Sequence, residues 1–394
     1  VKKSAPWFFQ SQVDSDEEMV TYKELGMNVV RLGYMWSGIE PTEGDYNQTY
    51  VDTVKGIVQK FNDNGVHVLL DLHEDILSSK YCLYDGAPQW LVDKSVPAKE
   101  FPWPLKGGCG DRGWMKNALA LAPQKAYQDI YDNEHGMLDS LVSMWKYSAS
   151  QFKDMPGVIG YEIMNEPFAG NTYADPTLFL PGVAGKKNLQ RMNDAVAKGI
   201  READDKKIIF YEPVTWGMVF DGDIAGSGFE HGPLVFKAID GDLAKLGGTA
   251  MMTEGMACPD ANQDECVFVM DLADKHLMSF TDYGHSQGDN FDLSDVQKQT
   301  WARTYARAIA GTPLSMSFDA AGDDRKFSFC YSLDATIDKE TEVFASRKYN
   351  YPAGAKVEVE GNAQQVDSGD PDLLWFVKLE EAKTGDEVCI TVSA

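Results

Sequence analysis

Tyr161-Glu162-Ile163-Met164-Asn165-Glu166-Pro167 is the stretch from which the fold can be read, because an apolar run ends there abruptly in a carboxylate. Val158 to Met164 carries the β-branched and aromatic residues of a buried strand and follows the turn residues Met155-Pro156-Gly157. Asn165-Glu166 stands where that strand stops, and Pro167, with no N–H to donate, prevents the ladder from continuing. In a barrel of parallel strands, the carboxyl ends are where catalytic groups sit. A half-hidden glutamate there holds its proton more tightly than in water, which suits a general acid.

The same design recurs on both sides of this stretch. Asn28-Val29-Val30-Arg31-Leu32-Gly33 reads as a strand with a charge inside it, and a buried Arg31 requires partner carboxylates. Val66 to Leu72 is a second strand, ending in the ionisable run His73-Glu74-Asp75. Ile208-Ile209-Phe210-Tyr211-Glu212-Pro213 repeats the order of apolar strand, Glu and Pro, and Thr249 to Gly255 repeats it again with Glu254. A further strand is expected from Leu277 to Asp282. Between these runs, helical patterns are expected over Asp16–Leu25 (stopped by Gly26), Tyr50–Asn64, Glu134–Phe152, Gly185–Ala203 and Ser294–Ala310. Strands alternating with helices imply a parallel α/β sheet, and carboxylates at several strand ends point to a (β/α)8 TIM barrel with its site on one face. No G-x-G-x-x-G turn follows a strand, which argues against a dinucleotide fold.

From about Asp323 the texture changes to short alternating runs at Phe327–Leu333, Thr341–Ala345, Lys356–Glu360, Leu373–Leu379 and Glu387–Val392. These predict a small antiparallel β-sandwich, dividing the chain into a barrel domain over 1–322 and a sandwich domain over 323–394. The insertion from Lys80 to about Gly113 is long and aromatic, and reads as an ordered wall of a cleft.

A formal charge of -25 over 394 residues excludes nucleic acid and anionic membrane as electrostatic partners. No apolar run reaches the roughly 18 residues a membrane-spanning helix needs. The six cysteines are simplest to read as sequence neighbours, Cys82 with Cys109, Cys258 with Cys266 and Cys330 with Cys389. No C-x-x-C pair is present, so metal binding is not expected. An even cysteine count and the sequon Asn47-Gln48-Thr49 favour a secreted or lumenal enzyme, with free buried thiols in a cytosolic protein as the alternative. A chain opening Val1-Lys2-Lys3, without initiator Met or apolar leader, reads as a form whose signal peptide has been removed.

Glu166 and Glu254, distant in sequence, both end apolar strands. Two carboxyl groups roughly 5 Å apart are what a retaining glycosidase requires, one protonating the leaving oxygen and the other attacking the anomeric carbon. Arg31 is suited to keep the attacking carboxylate charged, and Asn165 to hold the sugar 2-hydroxyl. With these residues together, the chain resembles the retaining β-glycosidases of glycoside hydrolase family five, and within it the endoglycoceramidases and their relatives. The matching stretches include Gly26-Met27-Asn28-Val29-Val30-Arg31-Leu32-Gly33, the Trp36…Glu40-Pro41…Gly44-Asp45-Tyr46 loop, Leu70-Asp71-Leu72-His73-Glu74-Asp75 and Gly86-Ala87-Pro88-Gln89-Trp90. They continue with Met164-Asn165-Glu166-Pro167-Phe168-Ala169-Gly170, Tyr211-Glu212-Pro213-Val214-Thr215-Trp216, Thr253-Glu254 and Arg303-Thr304-Tyr305-Ala306-Arg307.

The resemblance implies hydrolysis of the β-linkage between a sugar headgroup and ceramide, with Glu166 as acid/base, Glu254 as nucleophile and no metal or organic cofactor. It further implies substrate contacts from Asn165, Arg31, His73, Asp75, Lys3, Trp36, Phe280 and Tyr283. Three departures stand out. Glu74 replaces a glutamine usual in the family and is expected to add charge beside the sugar subsite. The platform tryptophan of the last strand is absent, leaving Phe280 and Tyr283. Six barrel strands are legible rather than eight: the first is expected before Lys3, and another lies between Glu212 and Glu254, where Leu234–Ile239 lacks a His-x-Tyr. Alternatives are a β-glucosidase acting on glucosylceramide or steryl glucoside, a family-five polysaccharide hydrolase, and a non-catalytic glycan- or lipid-binding barrel.

Overall fold

A computed structural model describes residues 15–82, 86–112, 114–180, 182–214, 243, 249–254, 263–281 and 293–394. They group into two compact units, one drawn from 29–230 and the other from 15–28 with residues from 231 onward. The longer helices are α1 (Asp16–Leu25), α2 (Gln48–Asp63), α3 (Leu121–Asp132), α4 (Met137–Phe152), α5 (Gln190–Ala203), α6 (Gln263–Lys275) and α7 (Asp295–Trp301).

In the first unit, β1 (Val29–Gly33), β2 (His67–Asp71), β3 (Val158–Glu162) and β4 (Ile208–Phe210) form one parallel sheet in that order. Gly33 lies opposite Asp71, Asp71 opposite Glu162 and Glu162 opposite Phe210, so the four strands end on one line. That register carries every strand-end carboxylate to the same edge. Behind the sheet, Tyr34, Trp145, Phe152 and Tyr161 are buried, and the Trp145 Nε1–H donates to the Ile163 carbonyl at 3.0 Å. Helix α4 thereby fixes the backbone three residues before Glu166.

In the second unit, β5 (Met251–Met252) and β6 (Ser279–Phe280) pair in parallel, followed by two four-stranded antiparallel sheets. The strands of those sheets are β7 (Tyr305–Ala308), β8 (Gly311–Phe318), β9 (Phe327–Leu333), β10 (Thr341–Phe344), β11 (Lys356–Glu360), β12 (Ala363–Val366), β13 (Leu373–Lys378) and β14 (Glu387–Ser393). Their orders are β12-β13-β10-β7 and β11-β14-β9-β8. Strict alternation of buried and part-buried residues along β9 puts Phe327, Phe329, Tyr331 and Leu333 into one core with Val388, Ile390 and Val392 of β14.

The expected helix over Ser294–Ala310 is a correction. Ser294 and Gln297 form a capping box that starts α7, but the helix ends at Trp301. Tyr305 to Ala308 then becomes a strand, because pairing with β10 and the bonds Tyr305 to the Gly26 carbonyl and Thr304 to Tyr351 override the helix propensity of Ala and Arg. The sandwich sheets therefore reach back to Tyr305, ahead of the change in texture at Asp323. Strand β12 escaped the sequence reading because Gln364 and Gln365 give it no apolar alternation.

The disulfides Cys82–Cys109 and Cys330–Cys389 are present. Cys266 is disulfide-bonded too, and its expected partner Cys258 lies outside the described residues. Lys3, Tyr283 and the possible strand Leu234–Ile239 also lie outside them. Among the described residues, no helix is long and apolar enough to cross a membrane.

Candidate active site

Arg31 is the centre of the strand-end cluster in the first unit. Its Nε and Nη2 bond Glu162 at 2.7 and 3.0 Å, a bidentate grip, and Nη2 also reaches Asn165 Oδ1 at 2.7 Å and Glu212 Oε1 at 3.2 Å. Asp71 lies 3.2 Å from the same nitrogen. Burial alone would weaken the hold of Arg31 on its proton, but Asp71 and Glu162 outweigh it and the guanidinium stays charged.

Burial first, and then Glu162, push the Glu212 carboxyl well above the usual carboxylate range. Burial and Asp71 raise Glu162 as well, with Arg31 opposing. Two such carboxyls do not both ionise: Glu212 keeps the proton and donates it to Glu162. The 3.2 Å contact between Arg31 and Glu212 is then a hydrogen bond to a neutral acid rather than an ion pair. Glu212 also accepts the backbone N–H of Glu166 at 2.8 Å. That bond matters because Glu166 has φ 40°, a left-handed conformation that a residue with a Cβ keeps only when its surroundings hold it there.

A direct consequence can be measured. Glu212→Gln should unfold within about 1 kcal/mol of the wild type, because a carboxamide still accepts from Glu166 and donates to Glu162. Glu212→Leu, which removes these two bonds and the one from Arg31, should lose about 1–3 kcal/mol by chemical unfolding.

Beside this cluster, His73 Nδ1 lies 2.7 Å from Asp71 Oδ2. Burial would lower the imidazole, but Asp71 more than offsets it and raises His73 to about 9, so the ring carries both protons at neutral pH. Asn165 is fixed at both ends of its amide: Oδ1 accepts from Arg31, while Nδ2 donates to the Glu74 carbonyl at 2.8 Å and lies 3.4 Å from Asp75. The structure thus brings together Arg31, His73, Asp75, Asn165 and Glu166.

The expectation for Glu74 is corrected. Its side chain is buried, not beside an open subsite, and burial pushes it up to about 8, leaving it neutral at pH 7. Trp36 is corrected too: it is 1% exposed, its Nε1–H donates to Glu40 at 2.8 Å, and Trp90 packs against it edge to face. It shapes the loop after β1 rather than offering a sugar a face. Trp90 in turn donates to the Glu40 carbonyl at 2.9 Å, anchoring the aromatic insertion.

In the second unit, Glu254 is part-buried and follows β5 by two residues. Thr281 closes that strand end, its N–H donating to the Met252 carbonyl at 2.8 Å and its hydroxyl to the Thr253 carbonyl. Phe280 packs with Met252 around Leu272 and Ala273 of α6.

Asp71, Glu162 and Glu212 were not singled out from the sequence as site residues. The signal for them was the demand of a buried Arg31 for carboxylates, together with an acid closing each neighbouring strand.

These strand ends can be compared with known proteins. The family model described as Cellulase (glycosyl hydrolase family 5) matches residues 2–235, and the Glycoside hydrolase family 5 C-terminal domain matches residues 303–392. The chain belongs to glycoside hydrolase family 5. It is therefore a retaining glycoside hydrolase, and the second match coincides with the sandwich strands β7 to β14. An endoglycoceramidase of Cyanea nozakii is 31% identical, over 88% of this chain and 78% of that protein. An endoglycoceramidase of Hydra vulgaris is 30% identical over 97% and 81%. Endo-glycoceramidase II from Rhodococcus sp. has been solved as a lactosyl-enzyme intermediate and as a ganglioside GM3 complex, each with TM-score 0.76 and 19% identity. The intermediate covers 98% of this chain and 95% of that one, the GM3 complex 96% and 91%. The fold is accordingly a (β/α)8 barrel followed by a C-terminal β-sandwich.

Proposed function

We propose that this family-5 hydrolase cleaves the β-glycosidic bond between the sugar headgroup and the ceramide of glycosphingolipids by double displacement. The observation that carries the reading is the Arg31–Glu162–Glu212 cluster, which holds Asn165-Glu166 at the end of β3 in a chain whose relatives are named endoglycoceramidases. Glu166 protonates the departing ceramide oxygen while the Glu254 carboxylate attacks the anomeric carbon, forming a glycosyl-enzyme. Glu166, now ionised, takes a proton from the water that releases the sugar. Asn165, its amide oriented by Arg31 and the Glu74 carbonyl, binds the 2-hydroxyl, and charged His73 donates to a neighbouring hydroxyl. Asp75, Lys3, Phe280 and Tyr283 complete the sugar subsite, and no metal or organic cofactor takes part. The disulfides suit a secreted or lumenal enzyme acting in lipid metabolism.

The test is an assay of three substrates in parallel: a detergent-dispersed ganglioside, glucosylceramide and a soluble β-glucan. Release of the intact oligosaccharide together with ceramide is expected. Turnover confined to the glucan, or to glucosylceramide, would replace this reading with a polysaccharide hydrolase or a β-glucosidase. Binding without release would make the chain a lectin-like barrel.

A further inference from the structure

Glu74 sits between His73 and Asp75, yet it is 1% exposed. The Leu77 N–H donates to its Oε2, and the Tyr127 hydroxyl oxygen lies 2.7 and 2.8 Å from its two oxygens. No Lys or Arg bonds to it among the described residues. A carboxylate taken this far from water without a cation is neutralised rather than kept charged.

What Glu74 holds is unusual. Ile76 and Leu77 follow with φ 62° and 63°, consecutive left-handed residues, both buried and one of them β-branched. The turn they make is tied down on every side. Leu77 N–H goes to Glu74, the Leu77 carbonyl accepts from Ala87 N–H at 2.7 Å, and the Ile76 carbonyl accepts from Ser78 N–H at 2.8 Å. Gly86 closes the remaining side, since a Cβ there would lie 2.4 Å from Glu74 Cβ. The Glu74 carbonyl receives the Asn165 amide.

We propose that Glu74 is a positioning residue that, as a neutral carboxylic acid, clamps the left-handed Ile76–Leu77 turn and so sets the placement of His73, Asp75 and Asn165. The part of this that concerns sugar binding rests on the function proposed above. The Tyr127 O–H and the Leu77 N–H both donate to the Glu74 carboxyl. An ionised Glu74 would be a charge held in the core without a cation.

Burial raises the carboxyl to about 8 against the lowering effect of Leu77 N–H and Tyr127 O–H; Asp75 adds to the rise and His73 opposes it. The other groups facing it are Tyr131 from α3, which titrates far higher, and the neutral Asn165. The sign follows. Between the ordinary glutamate range and about pH 8 the unfolded chain is ionised here and the folded one is not, so stability falls as pH rises through that window and levels above it.

The experiment measures kcat, KM and Tm from pH 5 to 9 for the wild type, Glu74→Gln and Glu74→Ala. Gln offers one donor and one acceptor in the same shape. Glu74→Gln is expected to keep kcat/KM at pH 6 within about threefold. It should also remove the alkaline loss centred near pH 8, which in the wild type steepens to about tenfold per pH unit. Its Tm should gain on the wild type steadily from pH 5 to 8, and the limbs that belong to the acid Glu166 and to His73, near pH 9, should remain. Glu74→Ala should lose about tenfold or more at every pH, mostly in KM. The clamp is overturned if Glu74→Gln keeps the wild-type alkaline limb and Tm profile, or is as impaired at pH 6 as Glu74→Ala. The Tm comparison needs no substrate, so it decides the clamp even if no glycolipid is turned over.

Discussion

Glu254→Gln should lower hydrolysis by about 10⁴-fold or more while leaving the fold intact, because the reaction loses its proposed nucleophile and a carboxamide of the same size takes the carboxylate's place. Strand β5 is closed by backbone pairing with β6 and by Thr281, neither of which uses the Glu254 carboxylate. Glu166→Gln should look different. It removes the proton donor, so glycolipids, whose alkoxide leaving group needs that proton, should lose about 10²–10⁴-fold. Aryl glycosides with acidic leaving groups should still form the glycosyl-enzyme and then stall at its hydrolysis. A burst of aryl alcohol without steady turnover is the expected trace. Equal losses on both substrate types would mean that Glu166 is not the acid.

Arg31→Met should be the most damaging change to stability in the first unit, at about 3–5 kcal/mol. The side chain is 7% exposed and holds Glu162, Asn165, Glu212 and Asp71, so its removal strands buried carboxyl groups without a cation. The loss should shrink as pH falls from 7.5 to 5, because carboxylates that have lost their partner take up protons at higher pH than before. Urea unfolding at the two pH values measures this. A variant as stable as the wild type at pH 7.5 would show that Arg31 does not hold the cluster together. Lysine should rescue the charge but not the bidentate grip on Glu162, leaving Glu166 poorly placed and activity low even where the fold survives.

Much of the barrel was legible because its signals are local. Strands β2, β3 and β4 are apolar runs stopped by an acid, and α1 opens on Ser15 and closes on left-handed Gly26 as its sequence states. The candidate acids were legible for the same reason. Two kinds of feature were not. One is set by distant pairing: Tyr305–Ala308 has a helix former's composition and becomes a strand only because β10 lies beside it. The other is set by depth. Trp36 and Glu74 flank active-site stretches in sequence, yet one is packed under Trp90 and the other under Tyr127, and no periodicity in a loop reports which way a side chain turns. The proton shared by Glu162 and Glu212 belongs to this second kind, since it exists only where two strand ends meet.

In the double displacement proposed above, Glu254 attacks the sugar and Glu166 delivers the proton. A 2-fluoro-glycoside of a β-linked headgroup sugar, with an activated leaving group, should inactivate the enzyme and leave one sugar on it, and peptide mapping should place that sugar on Glu254. An adduct on Glu166 or another residue, or inactivation without any covalent sugar, would contradict Glu254 as the nucleophile.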